Sequence, residues 1–218
     1  MSTIFFEKLD FYCYYGPMSA TVTKPENQEI EAKFLDINRT AIEKKLAGIG
    51  AKKLGDFLYR SIAFDFPGFP LDAKAAWVRL RDEGDQVMLA YKQRLGAESH
   101  DGSTSDTGMQ EIEVKVSDYE KTQLFLQSLG LIVKFAQEKK RTRWLLGDIQ
   151  FDLDEWPRLA PYLEIESSSW DKVDEGARLL GLDPASKKLF STTQVYALNG
   201  IRDKDYIKMT FDEWVKRS

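Results

Sequence analysis

Seven stretches of this sequence place charged residues two apart: Glu29/Glu31/Lys33, Arg79/Arg81, Lys92/Arg94, Glu111/Glu113/Lys115, Arg141/Arg143, Asp152/Asp154 and Glu164/Glu166. Side chains on a β-strand alternate faces, so each set shares one face and leaves the intervening apolar residues on the other. One such strand by itself reads as a half-buried strand with its charges in water. The sorting by sign across several strands is harder to obtain that way, because a solvated sheet mixes signs through cross-strand pairing. Carboxylate rows without histidine or thiolate suit a hard divalent cation, Mg²⁺ or Mn²⁺. Rows of arginine and lysine suit phosphate oxygens, arginine as a fork and lysine as a point charge. Together they describe a pocket for a metal-bound polyphosphate.

The elements that would carry these rows come from an internal repeat. Gln28-Glu29-Ile30-Glu31-Ala32-Lys33 is written again as Gln110-Glu111-Ile112-Glu113-Val114-Lys115. In this register Asp36 matches Asp118 and Gly48 matches Gly130, with a helical stretch between each time. Leu163-Glu164-Ile165-Glu166, followed by a helix ending at Gly181, is a fainter third copy. Asn38 predicts a cap for a helix to about Ile49. Ser117 and Glu120 predict a capping box for a helix packing Leu124, Phe125 and Leu129 inward. Strands are expected at Leu58–Phe66, from Trp77, at Val87–Arg94, Lys139–Leu146, Asp148–Asp154 and Tyr162–Ser167. Further helices are expected at Trp170–Leu180, within Pro184–Leu198, and at Thr210–Lys216 with Thr210 and Glu213 as a capping box. The fold class is α+β. Burying so many charges requires that they meet one another, a metal or a ligand, which favours an eight-stranded antiparallel closed β-barrel with a charged interior and helices packed outside.

Composition limits the alternatives. The chain of 218 residues is 43% hydrophobic, enough for one sizeable core. Residues 1–27 read as an N-terminal extension rich in Phe and Tyr, and residues 28–218 as the folded domain. No apolar run is long enough for a membrane span, and no signal peptide is evident. The single cysteine, Cys13, excludes an internal disulfide and fits a cytoplasmic setting. The only histidine, His100, falls in a Gly/Ser/Asp-rich stretch, Leu95 to Gly108, that reads as a mobile loop. A net charge of −4 argues against nucleic-acid binding through an overall field.

The ordered series over residues 28 to about 200 resembles the CYTH, or triphosphate tunnel metalloenzyme, superfamily. Glu29-Ile30-Glu31-Ala32-Lys33 is similar to its Glu-x-Glu-x-Lys signature. Arg79-Leu80-Arg81, Lys92, Glu111-Ile112-Glu113, Arg141-Thr142-Arg143, Asp152 and Glu164-Ile165-Glu166 follow in the family's order. The resemblance implies a metal-dependent enzyme acting on a triphosphate such as ATP or inorganic triphosphate. The stretch from Glu111 to Glu166 looks most like the class IV adenylyl cyclase branch, which forms cyclic AMP and pyrophosphate. The alternatives are a triphosphatase for inorganic, thiamine or nucleoside triphosphate, and a polyphosphate-binding module without chemistry.

The resemblance also implies roles. Glu29, Glu31, Glu113, Asp152, Glu164 and Glu166 would hold metal. Lys33, Arg79, Arg81, Lys92, Arg141 and Arg143 would grip phosphates, with Glu29, Glu31, Lys33 and Lys92 central to catalysis. Tyr59 reads as a core residue that could assist a proton transfer, Asp154 as the start of a loop, and Lys187 and Lys188 as a solvated helix face. Arg60-Ser61-Ile62-Ala63-Phe64 departs from the family's polar pattern on the second strand. A homodimer is left open.

Overall fold

The computed structural model describes residues 30–94 and 109–217. Glu29 and the residues before it, and the segment 95–108 with His100, lie outside the described residues.

The repeat becomes two halves of one sheet. The first half runs β1 (Ile30–Phe34), α1 (Arg39–Gly48), β2 (Lys52–Asp65), β3 (Ala76–Asp82) and β4 (Val87–Arg94). The second runs β5 (Met109–Val116), α2 (Tyr119–Ser128), β6 (Ile132–Leu146), β7 (Ile149–Glu155) and β8 (Tyr162–Ser167). The strand order β1-β8-β7-β6-β2-β3-β4-β5 reads the same after exchanging the halves, with the long antiparallel pair β2–β6 at its centre. The correspondence differs by two residues from the one expected over the helices. Asn38 and Asp118 are the N-caps, accepting from the backbone N–H of Ala41 and Lys121 at 2.9 and 2.8 Å. The left-handed glycines after the helices are Gly50 and Gly130. Asp118, not Ser117, therefore caps α2, and Asp36 and Gly48 have no such roles.

The outer face of each half is apolar and partly covered by helices, with Ile112 and Val114 of β5 left exposed. Ile42 and Leu46 of α1, with Val173 and Ala177 of α3 (Trp170–Leu179), pack on Ala32, Phe34, Phe151 and Ile165. A Cβ on Gly176 would come within 3.0 Å of Ile149 and 3.1 Å of Ile165 and Phe151, so the missing side chain lets α3 lie this close to the sheet. On the other half, Tyr119 and Leu126 pack on Ile62, Phe64 and Leu80. Leu124, Phe125 and Leu129 are exposed, contrary to expectation; moving the cap by one residue is what turns Tyr119 and Leu126 inward.

The antiparallel sheet with helices outside forms as expected, and among the described residues it is not closed into a barrel. Among the described residues no ladder joins β1 to β5, the ends of the strand order. The outer edge of β1 is taken at Lys33 by Lys188, whose backbone N–H and C=O pair with those of Lys33 at 2.8 and 2.9 Å. Lys188 thus lies between helices rather than on a helix face. Beyond β8 the chain adds α3, α4 (Thr192–Leu198), β9 (Tyr206–Met209) and β10 (Trp214–Lys216), making a ten-stranded sheet. β6 outruns β7, and β9 pairs in parallel with its overhang at Ala136 and Gln137. The helix expected at Thr210–Lys216 is a hairpin turn plus β10. The Thr210 hydroxyl accepts from the Glu213 N–H at 3.0 Å, and the Thr210 N–H donates to the Glu213 carbonyl at 2.9 Å. No helix among the described residues is long and apolar enough to cross a membrane.

Candidate functional site

The sheet curls so that one face, the charged one, lines a cavity of about 570 Å³ reached by side chains of all eight strands β1 to β8. Alternation brings the expected sets together. Glu31 and Lys33 come from β1, Arg79 and Arg81 from β3, and Lys92 from β4. Glu111 and Glu113 come from β5, Arg141 and Arg143 from β6, and Glu164 and Glu166 from β8. Asp152 lies beneath the lining, 2% exposed. Glu29 is outside the described residues.

At the floor the ions are fully engaged. Arg141 forks onto Asp154 with two contacts of 2.6 Å, reaches Asp152 at 2.6 Å, and also touches Glu164. Arg143 forks onto Asp152 at 2.9 Å. Lys33 bridges Glu31 at 2.9 Å and Glu164 at 3.1 Å. Burial alone would push the Glu164 carboxyl up, but Lys139, Arg141 and Lys33 hold it well below the usual carboxylate range. Burial likewise pulls Lys33 and Arg141 down, and is outweighed by their carboxylate partners, so both lie above their ordinary values. A buried network of this kind survives because every member is paired.

Opposite the floor the cations are less committed. Arg79 lies 3.3 Å from both Glu111 and Glu113, and Lys92 lies 2.8 Å from Glu111. The Nε donors of Arg79 and Arg81 are buried without a partner among the described residues. Burial and the neighbouring cations lower both the Arg79 and the Lys92 pKa. An anion with several oxygens would satisfy all of these groups.

The carboxylates fit a hard cation at one place in particular. Glu31 on β1 is the cross-strand partner of Glu166 on β8; Lys33 bridges Glu31 at 2.9 Å, and Glu166 accepts from Gln150 at 3.2 Å. Among the described residues no three acidic side chains converge on one point as ligands. The pair offers oxygen donors only, the set that Mg²⁺ or Mn²⁺ takes.

Several lining residues were not assigned from sequence. Lys139 continues the row Lys139-x-Arg141-x-Arg143 on β6 and is paired with Asp154 at 2.9 Å; its parity was the available signal. Asp154 is not in a loop but on β7, 0% exposed, held by Arg141 and Lys139. Tyr59 is buried yet lines the cavity, with Arg81, Arg141 and Lys139 over its ring at 5.1–5.6 Å. From the departing strand only Ser61 joins it in the lining, while Ile62 and Phe64 enter the outer core. Gln150 donates to Asp152 at 3.1 Å and to Glu166 at 3.2 Å. Ser191 and Thr192 reach the lining from the start of α4, where Ser191 and Gln194 form a capping box that was the available signal. Lys187 is bound to Asp174 at 2.6 Å and takes no part in the lining.

Comparison with known structures places this architecture. The PH1012 protein of Pyrococcus horikoshii OT3 is 24% identical, with a TM-score of 0.59 over 77% of this chain and 99% of its own. A candidate adenylate cyclase of Vibrio parahaemolyticus is 15% identical, with a TM-score of 0.62 over 78% of this chain and 98% of its own. HpAC1 of Hippeastrum, a candidate adenylyl cyclase described as having a dominant triphosphatase activity, is 13% identical. Its TM-score is 0.52 over 78% of this chain and 95% of its own. No curated protein sequence matches. The CYTH domain matches residues 27–189, which takes in every strand lining the cavity, and the chain belongs to the CYTH domain family.

Proposed function

We propose that this protein is a divalent-metal-dependent enzyme acting on a small triphosphate inside the cavity. The observation that carries the reading is the set of unpartnered guanidinium donors of Arg79 and Arg81, beside Lys92, in a cavity facing opposed carboxylates. Arg79, Arg81 and Lys92 grip the phosphate chain, with Arg143 extending the row. Glu31 and Glu166 hold the metal, with Glu113 of the same lining as a further candidate and Glu29 outside the described residues. Bound there, Mg²⁺ or Mn²⁺ would neutralise charge on the phosphate oxygens and acidify a water. Asp152 and Glu164, also assigned to metal from the sequence, are engaged by arginines in this structure, so the metal reading rests on Glu31 and Glu166. Lys33 orients Glu31 and joins it to Glu164. Arg141 is the hub that holds Asp152, Asp154 and Glu164 in place. Catalysis in this arrangement comes from positioning and from fixed charge aimed at the phosphates.

Two chemistries share this grip. Attack by a ribose 3′-hydroxyl at the α-phosphorus of ATP gives cyclic AMP and pyrophosphate, the reading that follows the class IV cyclase resemblance. Attack by water at a terminal phosphorus gives orthophosphate. The geometry favours hydrolysis: among the described residues Tyr59 and Trp156 are the aromatic rings of the lining, and both already lie under cations, Lys139 being 5.4 Å from the Trp156 ring. Such a lining matches a phosphate chain along its whole extent. The triphosphatase activity named for the Hippeastrum neighbour supports the same choice. The unit that carries this activity is read as residues 28–218, of which the family match covers the part up to residue 189.

The test is to incubate the protein with ATP and, separately, with inorganic triphosphate, each in Mg²⁺ and in Mn²⁺, and to resolve the products by chromatography. Orthophosphate without cyclic nucleotide supports the triphosphatase. Cyclic AMP with pyrophosphate would establish the cyclase instead, and tight metal-dependent binding without product would point to a binding module.

A further inference from the structure

The two carboxylates of the terminal strand β5 differ from those of the floor. Floor carboxylates are nearly sealed: the side chains of Asp152, Asp154 and Glu164 are 2, 0 and 10% exposed. The side chains of Glu111 and Glu113 are 34 and 32% exposed, on a strand paired on one side only among the described residues. Yet they engage the cations best placed for a ligand. Glu111 is the cross-strand partner of Lys92 and lies 2.8 Å from it, and both glutamates lie 3.3 Å from Arg79. Glu113 also comes within 4.0 Å of Arg81. A phosphate chain gripped by Arg79, Arg81 and Lys92 takes the free Nε donors and competes with these glutamates for Lys92 and the rest of Arg79, Arg81 being held also by Glu83; the two negative charges then remain beside it. Among the described residues the lining is close to balanced, eight cationic against seven acidic side chains, and a surplus of one positive charge does not offset two negative ones.

We propose that Glu111 and Glu113 are displaceable stand-ins for substrate phosphates, and that they make the site select a metal-complexed triphosphate over the free anion. The free anion meets their charge in full, whereas a complexed one carries cationic charge of its own. This inference rests on the reading that Arg79, Arg81 and Lys92 grip phosphate. It assigns to Glu111, and to Glu113 in the metal-free site, a positioning and specificity role whose removal strengthens binding.

Titration calorimetry with inorganic triphosphate tests it, once with a chelator and once with excess Mg²⁺, on the wild type and on Glu111→Gln. The substitution keeps size and removes charge at a position one-third exposed. Free triphosphate is expected to bind Glu111→Gln at least about tenfold tighter, as removing a like charge a few ångströms away implies, while the Mg²⁺ complex changes less. The preference for the complex therefore falls. Glu113→Gln, measured in the chelator arm, should tighten in the same direction and serves if Glu111→Gln fails to fold. Unchanged or weaker binding of free triphosphate by the folded variants overturns the inference while leaving the phosphate grip standing. No binding of either form by the wild type overturns the grip, and this inference with it.

Discussion

Glu31 on β1 stands directly across from Glu166 on β8, with Lys33 across from Glu164 one step along the same face. Because Lys33 turns its backbone N–H and C=O outward to Lys188, these are narrow pairs, in which side chains approach most closely. Lys33 neutralises the inner end of this ladder, joining Glu31 to Glu164. At the outer end Glu31 and Glu166 bring carboxylate oxygens of two strands side by side.

Metal binding should therefore depend on this pair. Mg²⁺ or Mn²⁺ is expected to raise the melting temperature of the wild type and not that of Glu31→Gln or Glu166→Gln. Metal-dependent turnover of triphosphate should fall about 100-fold or more, the scale of losing one preorganised charge-stabilising group. Wild-type turnover by either variant at saturating metal and substrate would remove Glu31 and Glu166 from the site.

Lys33→Ala is a different kind of change from what the sequence suggests. Read as a phosphate ligand alone, Lys33 would be dispensable for folding. In the structure it is 5% exposed and tied to two carboxylates, so its loss should cost about 1–3 kcal/mol of stability as well as activity. Arg141 continues to hold Glu164, which keeps the variant folded. Urea unfolding measures this directly; a midpoint equal to that of the wild type would contradict it.

Asp65 supplies the contrasting case, a buried carboxylate away from the cavity lining. Its oxygens accept from the backbone N–H groups of Phe66, Leu71 and Asp72 at 2.7, 3.0 and 2.9 Å, shaping the turn between β2 and β3. Asp65→Ala should destabilise by about 2–3 kcal/mol through orphaned donors and leave KM for the triphosphate unchanged. A large rise in KM with an unaltered melting temperature would show that the turn acts on the site and not on the fold.

The Glu164 carboxyl sets a pH window. Its folded pKa lies well below the 4.5 of a free glutamate, so its stabilising contribution is complete above about pH 5 and is lost as pH falls through the folded value. The difference in unfolding free energy between wild type and Glu164→Gln should stay level from neutral pH to about pH 5 and shrink below it. A difference that holds constant to pH 3 would mean that the carboxyl is not ion-paired as described.

Strand parity was legible from the residues because it is local. The Glu31/Lys33, Arg79/Arg81, Arg141/Arg143 and Glu164/Glu166 rows all reach the one cavity, since a strand allows each side chain only two directions. The repeat also showed which strands correspond, and the two-fold order of the sheet follows from it.

Three features depended on which groups the fold brings together. Leu124 and Phe125 are as apolar as Leu126, yet only Leu126 is buried, because the cap at Asp118 sets the rotation of α2 against β3. Asp154 looks like a turn residue until Arg141 and Lys139 close around it; an isolated carboxylate could not be buried there, and a triply contacted one can. The outer edge of β1 is paired at Lys33 by Lys188, distant in sequence. Alternation is a property of each strand and can be read one residue at a time. Helix rotation, ion pairing and edge occupancy are settled by contacts between residues far apart in the chain, and only the tertiary structure supplies those.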